Sequence, residues 1–160
     1  MDTFFRVDPS EPDDLLSNFE PVQYASELQR ALSEETVSEI ESKPFLQIDS
    51  HAPVREAVEM LHDSGVSCLL VVDGEHLVGI FTERDVLEKV VERYARVSVE
   101  PVEKFMTSDP TIVYESDPVA AAAAAISVAG HRHVPVLDLE NQVQGIVSPR
   151  RVFDFMEKHF

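Results

Sequence analysis

The chain has one cysteine, Cys68, no tryptophan, five glycines, and only 13 lysines and arginines against 30 aspartates and glutamates. A lone cysteine cannot close an internal disulfide and offers no second thiolate to a structural zinc, so a reducing cytoplasm is the expected location. The longest uncharged stretch, Pro118 to His131, is centred on an alanine run too short and too weakly apolar to cross a bilayer, and Met1 to Arg6 lacks a signal-peptide charge pattern. A formal charge of -17 repels phosphate backbones and anionic lipid, so neither nucleic acid nor membrane is an expected partner. Any anionic ligand then needs a local positive island. What remains is ordinary for a packed protein, since 44% of residues are hydrophobic. A chain of this size buries roughly 70% of its unfolded surface, enough for one domain or two very small ones.

Residues 1–42 differ in texture from the rest. Asp8-Pro9-Ser10-Glu11-Pro12-Asp13-Asp14 is acidic and broken by proline, and from Pro21 to Glu41 the residues Val22, Ala25, Leu28, Leu32, Val37 and Ile40 recur near helical spacing. Ser33 is a candidate cap for a second short helix, which leaves one helix or two open. The remainder is an internal repeat. A shift of 65 residues lays Pro53-Val54 on Pro118-Val119, Gly65 on Gly130, and Val71 on Val136. One extra residue in the later turn then aligns Gly79-Ile80-Phe81-Thr82 with Gly145-Ile146-Val147-Ser148. The chain therefore divides into an extension over 1–42, a first copy over 43–98 and a second over 99–160.

Each copy reads as strand, helix, strand, strand, helix. In the first, Val54, Ala57, Val58 and Leu61 mark a helical stripe, and Val66 to Val72 suits a strand covered on both faces. Asp73-Gly74 supplies a hairpin turn, Leu77 to Phe81 returns, and Val86, Leu87, Val90, Val91 and Tyr94 give the second helix its stripe. The second copy repeats the order with Thr111 to Val113, Val119 to Ala129, Val134 to Leu137, Val143 to Val147 and Pro149 to Lys158. Ala120 to Ala125 leaves its first helix thin enough for another helix or sheet to approach closely. A small three-stranded unit has one apolar face it cannot cover alone. The expectation is an α+β fold in which the two copies pack sheet to sheet about a pseudo-twofold axis and share a core, with clefts between them.

At the end of the first copy, Thr82 and Asp85 close a strand and open a helix. Thr-x-x-Asp there is an ordinary capping arrangement, and it also presents a hydroxyl beside free amides and a carboxylate able to accept a ribose diol. Phe105-Met106-Thr107-Ser108-Asp109-Pro110-Thr111-Ile112-Val113 opens the second copy, His131-Arg132-His133-Val134-Pro135-Val136 forms its middle, and Gly79-x-x-Thr82-x-x-Asp85 closes the first. With these, the doubled unit over about residues 43–158 resembles a tandem CBS domain pair, or Bateman module. The resemblance implies a regulatory fold that holds an adenine nucleotide (AMP, ADP or ATP), with S-adenosylmethionine second to these, and that dimerises into a flat disc. It further implies that Thr82 faces phosphate, Asp85 the ribose hydroxyls, and Arg132 and His133 the phosphate from the opposite copy, with Ile80, Leu46 and Ile48 lining the same cleft.

The other cleft departs from the pattern. Arg151 stands where aspartate is expected, and Ser67 and Cys68 replace the basic pair, leaving Ser148, Arg151 and Ile112 as its candidates. Arg150 and Arg151 either hold an anion or pair with a neighbouring glutamate. One nucleotide per chain is the expected stoichiometry, bound as a regulatory ligand with no other cofactor required. A homodimer through the two motifs and a protein partner met by the extension complete this expectation. No nucleophile, base and oxyanion donor occur together, so no enzyme is expected. His131 and His133, two apart on a strand, point to opposite faces and make no metal site, and Cys68 reads as a small buried hydrophobe. The alternative is a ligand-free dimerisation or interaction scaffold, favoured by Arg151 and opposed by the intact Thr82, Asp85, Arg132 and His133 set.

Overall fold

The computed structural model describes residues 20–160, so the acidic run Asp8–Asp14 and Phe4, Phe5 and Phe19 lie outside the described residues. Ser26 opens the first helix by accepting the Gln29 N–H at 3.1 Å, and α1 runs Glu27–Glu34. Glu35 and Thr36 are extended, and one 3-10 turn follows at Val37–Glu39, so the break lies at Thr36 and not at Ser33. Ala31, Val37 and Ile40 from this stretch are buried in the core of the second copy, among Val119, Ala122, Val136 and Phe155. The thin alanine surface is thereby explained: α1 lies against α5, Val119–Ser127, and takes up the space that small side chains leave.

The first copy contains β1 (Gln47–Asp49), α2 (Val54–Ser64), β2 (Cys68–Asp73) and β3 (His76–Thr82). The second contains β5 (Val113–Tyr114), α5, β6 (Val134–Leu137), β7 (Val143–Val147) and α6 (Pro149–Glu157). β1 runs parallel to β2 and β2 antiparallel to β3, with Leu69 opposite Phe81 and Leu70 opposite Ile80. Alternation along the pleat then sorts the side chains by face. Leu69, Val71 and Phe81 pack with Ala57, Leu61 and Val90 under the first copy's helices. Cys68, Leu70 and Ile80 turn the other way and meet Ile146, Val143 and Phe45. The two sheets thus share an apolar layer as expected, and each copy has in addition a larger core of its own under its helices.

The helical segment after β3 also differs from the even stripe expected. It runs through α3 (Glu83–Asp85), a wider π turn over Val86–Val90, a 3-10 turn over Val91–Arg93 and α4 (Tyr94–Val97). A π turn adds a residue to the ladder and rotates everything after it. Val90 is buried and Val97 joins it, whereas Leu87, Val91 and Tyr94 are 68%, 53% and 39% exposed.

A crossing of the two start segments positions the clefts. β4, Thr107–Ser108, comes from the opening of the second copy yet pairs with β3 of the first, Ile80 opposite Thr107 and Gly79 opposite Ser108. In mirror fashion the Ser42 carbonyl, at the junction of the extension and the first copy, accepts the Ile146 N–H at 2.9 Å. Both crossings need glycine beneath them. A Cβ on Gly79 would stand 2.8 Å from the Thr107 carbonyl, and one on Gly145 2.7 Å from the Ser42 carbonyl, closer than carbon and oxygen pack.

Candidate functional site

β3 delivers Thr82 to the first turn of α3, where a reciprocal cap forms. The Thr82 hydroxyl accepts the Asp85 N–H at 3.3 Å, and the Asp85 carboxylate accepts the Thr82 N–H at 2.9 Å. Asp85 is only 4% exposed, and a carboxylate that deep must be paired and hydrogen-bonded to remain charged. Oδ2 takes the Thr82 N–H and the Thr82 hydroxyl, both at 2.9 Å, while Oδ1 takes Lys89 Nζ at 2.6 Å and the Thr107 hydroxyl at 3.1 Å. Lys89 Nζ spends its other two protons on the carbonyls of Phe105 at 2.9 Å and Met106 at 3.3 Å. Capping is thus realised, and a ribose diol reaching Asp85 must displace hydroxyl donors. Of the four donors, only the Thr82 and Thr107 hydroxyls can turn away without breaking an ion pair or the helix start.

Lys89 and Thr107 were not among the sequence candidates. The i,i+4 spacing of Asp85 and Lys89 is a readable signal for an ion pair on one helix face. Thr107 arrives through the crossing of β4, whose local trace is Gly79.

The middle of the second copy reaches across to this turn. His133 Nε2 shares a hydrogen bond of 2.9 Å with the Ser67 hydroxyl, and the Ser67 carbonyl accepts the Glu83 N–H at 3.2 Å. Arg132 is exposed and makes no ion pair among the described residues. His131 Nε2 shares a 2.9 Å hydrogen bond with the Thr111 hydroxyl, tying the opening of the second copy to its middle strand. Burial pushes the His133 imidazole below its ordinary value of 6.5, the Arg132 charge adds to the effect, and Glu83 partly opposes it. Folding therefore favours the neutral ring. That part of the stability is fully present above the unfolded value near 6.5 and is lost as pH falls through it toward the lower folded value. Thermal melts in acid are expected to fall more steeply below this value in the native chain than in His133→Gln; equal slopes would refute the assignment.

The structure regroups the remaining candidates. Ile80 stands opposite Thr107, whose hydroxyl donates to Asp85, and its side chain packs into the apolar layer between the sheets. Ile48 is 4% exposed inside the first copy's helix-covered core, and Leu46 packs against the same core, so neither joins Asp85. The crossing brings the other start segment to Asp85 instead, and it is Pro44 and Phe45 that line the second cleft. There they meet Ser67, Cys68, His133, Ser148 and Arg151 around a pocket of about 200 Å³. Ile112 does not line that pocket.

In the second cleft Arg151 donates to the Ile146 carbonyl at 2.6 Å and the Pro44 carbonyl at 2.9 Å. No carboxylate among the described residues lies within ion-pair distance of it, which corrects the expected bridge to a glutamate; Arg150 pairs instead with Asp154 at 2.8 Å. Ser148 sits at the start of α6 without capping it, unlike Thr82. Burial raises the Cys68 thiol to about 12, with the Asp85 charge adding to the effect, so it is protonated and unreactive. Among the described residues no three potential ligands cluster to hold a metal, and no helix is long and apolar enough to cross a membrane.

Comparison with known proteins agrees with this architecture. An uncharacterized 17.7 kDa protein of Acidianus ambivalens is 31% identical over 115 residues, 71% of this chain and 68% of the relative. The L-aspartate semialdehyde sulfurtransferase of Methanocaldococcus jannaschii is 32% identical over 114 residues, 70% of this chain but only 21% of that enzyme. Among solved structures, the CBS domain protein NE2398 superposes with a TM-score of 0.67 at 27% identity, covering 76% of this chain and 96% of the other. CBSX2, solved in complex with AMP, gives 0.66 at 24% identity over 77% and 96% of the two chains. The CBS domain model matches twice, over residues 37–92 and 102–158, one match for each sheet with its helices. The chain belongs to the CBS domain family, as a tandem pair.

Proposed function

We propose that this pair is a regulatory sensor that binds one adenine nucleotide per chain in the Asp85 cleft and passes the ligand state to a protein partner. The observation that carries the reading is the composition of that cleft. Thr82 and Asp85 come from the first copy, while Thr107 comes from the opening of the second, so a ligand held there touches both. A ligand with different affinities for two inter-copy arrangements shifts their populations, and a partner that contacts either copy reads the shift. Thr82 and Arg132 supply phosphate donors, Asp85 the diol acceptor, and Ile80 an apolar wall. Two proteins of the same fold, CBSX2 and PAE2072 of Pyrobaculum aerophilum, were solved with AMP. Arg151 in place of a second aspartate supports one site, not two.

The reading includes a cytoplasmic homodimer and a regulatory rather than catalytic role. Leu87, Val91 and Tyr94, left exposed by the π turn, supply apolar surface for a second copy. The ligand-free scaffold remains the competing reading, and the internal saturation of Asp85 favours it. Isothermal titration of the full chain with AMP, ADP, ATP and S-adenosylmethionine at fixed salt decides between them. One site per chain for at least one adenine nucleotide is expected; absence of heat and of any thermal shift up to about a millimolar, where roughly -4 kcal/mol still registers, favours the scaffold.

A further inference from the structure

We infer that the pocket beside Arg151 is a separate binding site for a compact phosphate-bearing anion that needs no ribose. The inference goes beyond the nucleotide reading and does not depend on it. The pocket measures about 310 Å³, and its wall brings Arg150, Arg151 and Lys158 together with Glu41 and Asp154, with Ser148 at the rim. In a chain with 30 carboxylates and 13 lysines and arginines, a cation is normally paired. Here Asp154 is consumed by Arg150 at 2.8 Å, whereas Arg151 and Lys158 have no ion-pair partner among the described residues. Burial works against the charge on Arg151, and Glu41 only partly offsets it. The backbone carbonyls of Ile146 and Pro44 fix the guanidinium in place without neutralising it. The first turn of α6 adds no acidic side chain of its own.

The chemistry of these groups selects the ligand. Three cations line this pocket against two carboxylates, of which Asp154 is taken by Arg150, and planar guanidinium groups match phosphate oxygens. Arg150, the half-buried Arg151 and Lys158 all line this one pocket, so an anion entering it meets all three. Ser148 and Arg151 also line the neighbouring pocket of about 200 Å³ that His133 borders, so the two hollows adjoin. A phosphate there has two possible sources: a free anion, or the phosphate tail of a nucleotide seated at Asp85. The two pockets share only Ser148 and Arg151, whereas Arg150 and Lys158 line this one alone, which assigns it to the free anion.

Pyrophosphate titrated into the full chain at fixed ionic strength, followed by calorimetry and by amide chemical shifts, tests the assignment. One pyrophosphate per chain is expected, with shifts centred on residues 148–158. Lys158→Gln is expected to weaken it by about tenfold and Arg150→Gln with Lys158→Gln to remove it from the measurable range. Both side chains are solvent-facing, so these variants keep the fold, and Asp85→Asn is expected to leave pyrophosphate affinity unchanged whatever it does to nucleotides. Four results overturn the site: no binding up to about ten millimolar, shifts centred on Thr82 and Asp85, an affinity insensitive to the double substitution, or loss in Asp85→Asn. If pyrophosphate alone is silent while Lys158→Gln weakens ATP but not AMP, the pocket serves a nucleotide's tail and the separate site is wrong.

Discussion

An Asp85→Asn chain is expected to lose nucleotide affinity by more than about a hundredfold while remaining folded. The Asp85 carboxylate can accept both hydroxyls of a diol, and hydrogen bonds to a charged group are worth about 1.5–3 kcal/mol each. Two of them sum to at least about 3 kcal/mol, and every 1.4 kcal/mol is a factor of ten. The asparagine keeps the shape and one oxygen for the Thr82 N–H, so the helix cap survives in weakened form. Calorimetry gives the affinity and a thermal melt gives the fold. An affinity within about threefold of the native chain would remove Asp85 from the ribose-binding role.

The same substitution bears on how binding could move the pair. Asp85 in the free chain is already occupied, and the two donors that a nucleotide can replace are hydroxyls on different copies: Thr82 on the first and Thr107 on the second. Releasing Thr107 loosens the end of β4, a strand of two residues that is held to β3 at Ile80 and Gly79. A bound diol therefore competes for a contact that fastens the opening of one copy to the sheet of the other. Arg151 makes the corresponding fastening to Pro44 with no exchangeable partner, so on this reading one end of the pair is constitutively tied and the other is conditional.

Much of this was legible in the sequence because it is written in local patterns. The 65-residue repeat, the aliphatic run that became β2 and the Thr82–Asp85 cap each depend on neighbours a few positions apart. The replacement of aspartate by Arg151 was equally plain. Less legible was anything that depends on which segment crosses to which sheet. The family resemblance implies Leu46 and Ile48 for the Asp85 cleft, but the crossing of Ser42 and Thr107 exchanges the start segments between clefts. Its trace in the sequence is a glycine at each crossing, Gly79 and Gly145, which the repeat aligned without revealing what lies above them. The stripe over Val86–Tyr94 failed for a different reason. Its spacing assumes one winding throughout, and the π turn over Val86–Val90, which carries Lys89, breaks that assumption.

Lys89→Met is expected to lower stability by about 2–4 kcal/mol, which for a chain of this length moves the melting midpoint by roughly 5–12 °C. Methionine retains the apolar stem but removes the ammonium that satisfies Asp85 and the carbonyls of Phe105 and Met106. Asp85 is then a buried carboxylate with no counter-charge, the costly half of a broken ion pair. Partial exposure of the Lys89 side chain, 36%, keeps the expected loss below that of a fully buried pair. A double-mutant cycle separates this from lost packing. Asp85→Asn placed on Lys89→Met removes the stranded charge, so the pair of substitutions should cost less than the sum of the two alone, by about 1–3 kcal/mol. Strict additivity would mean that the ion pair contributes nothing and that Lys89 acts only through the carbonyls it bridges.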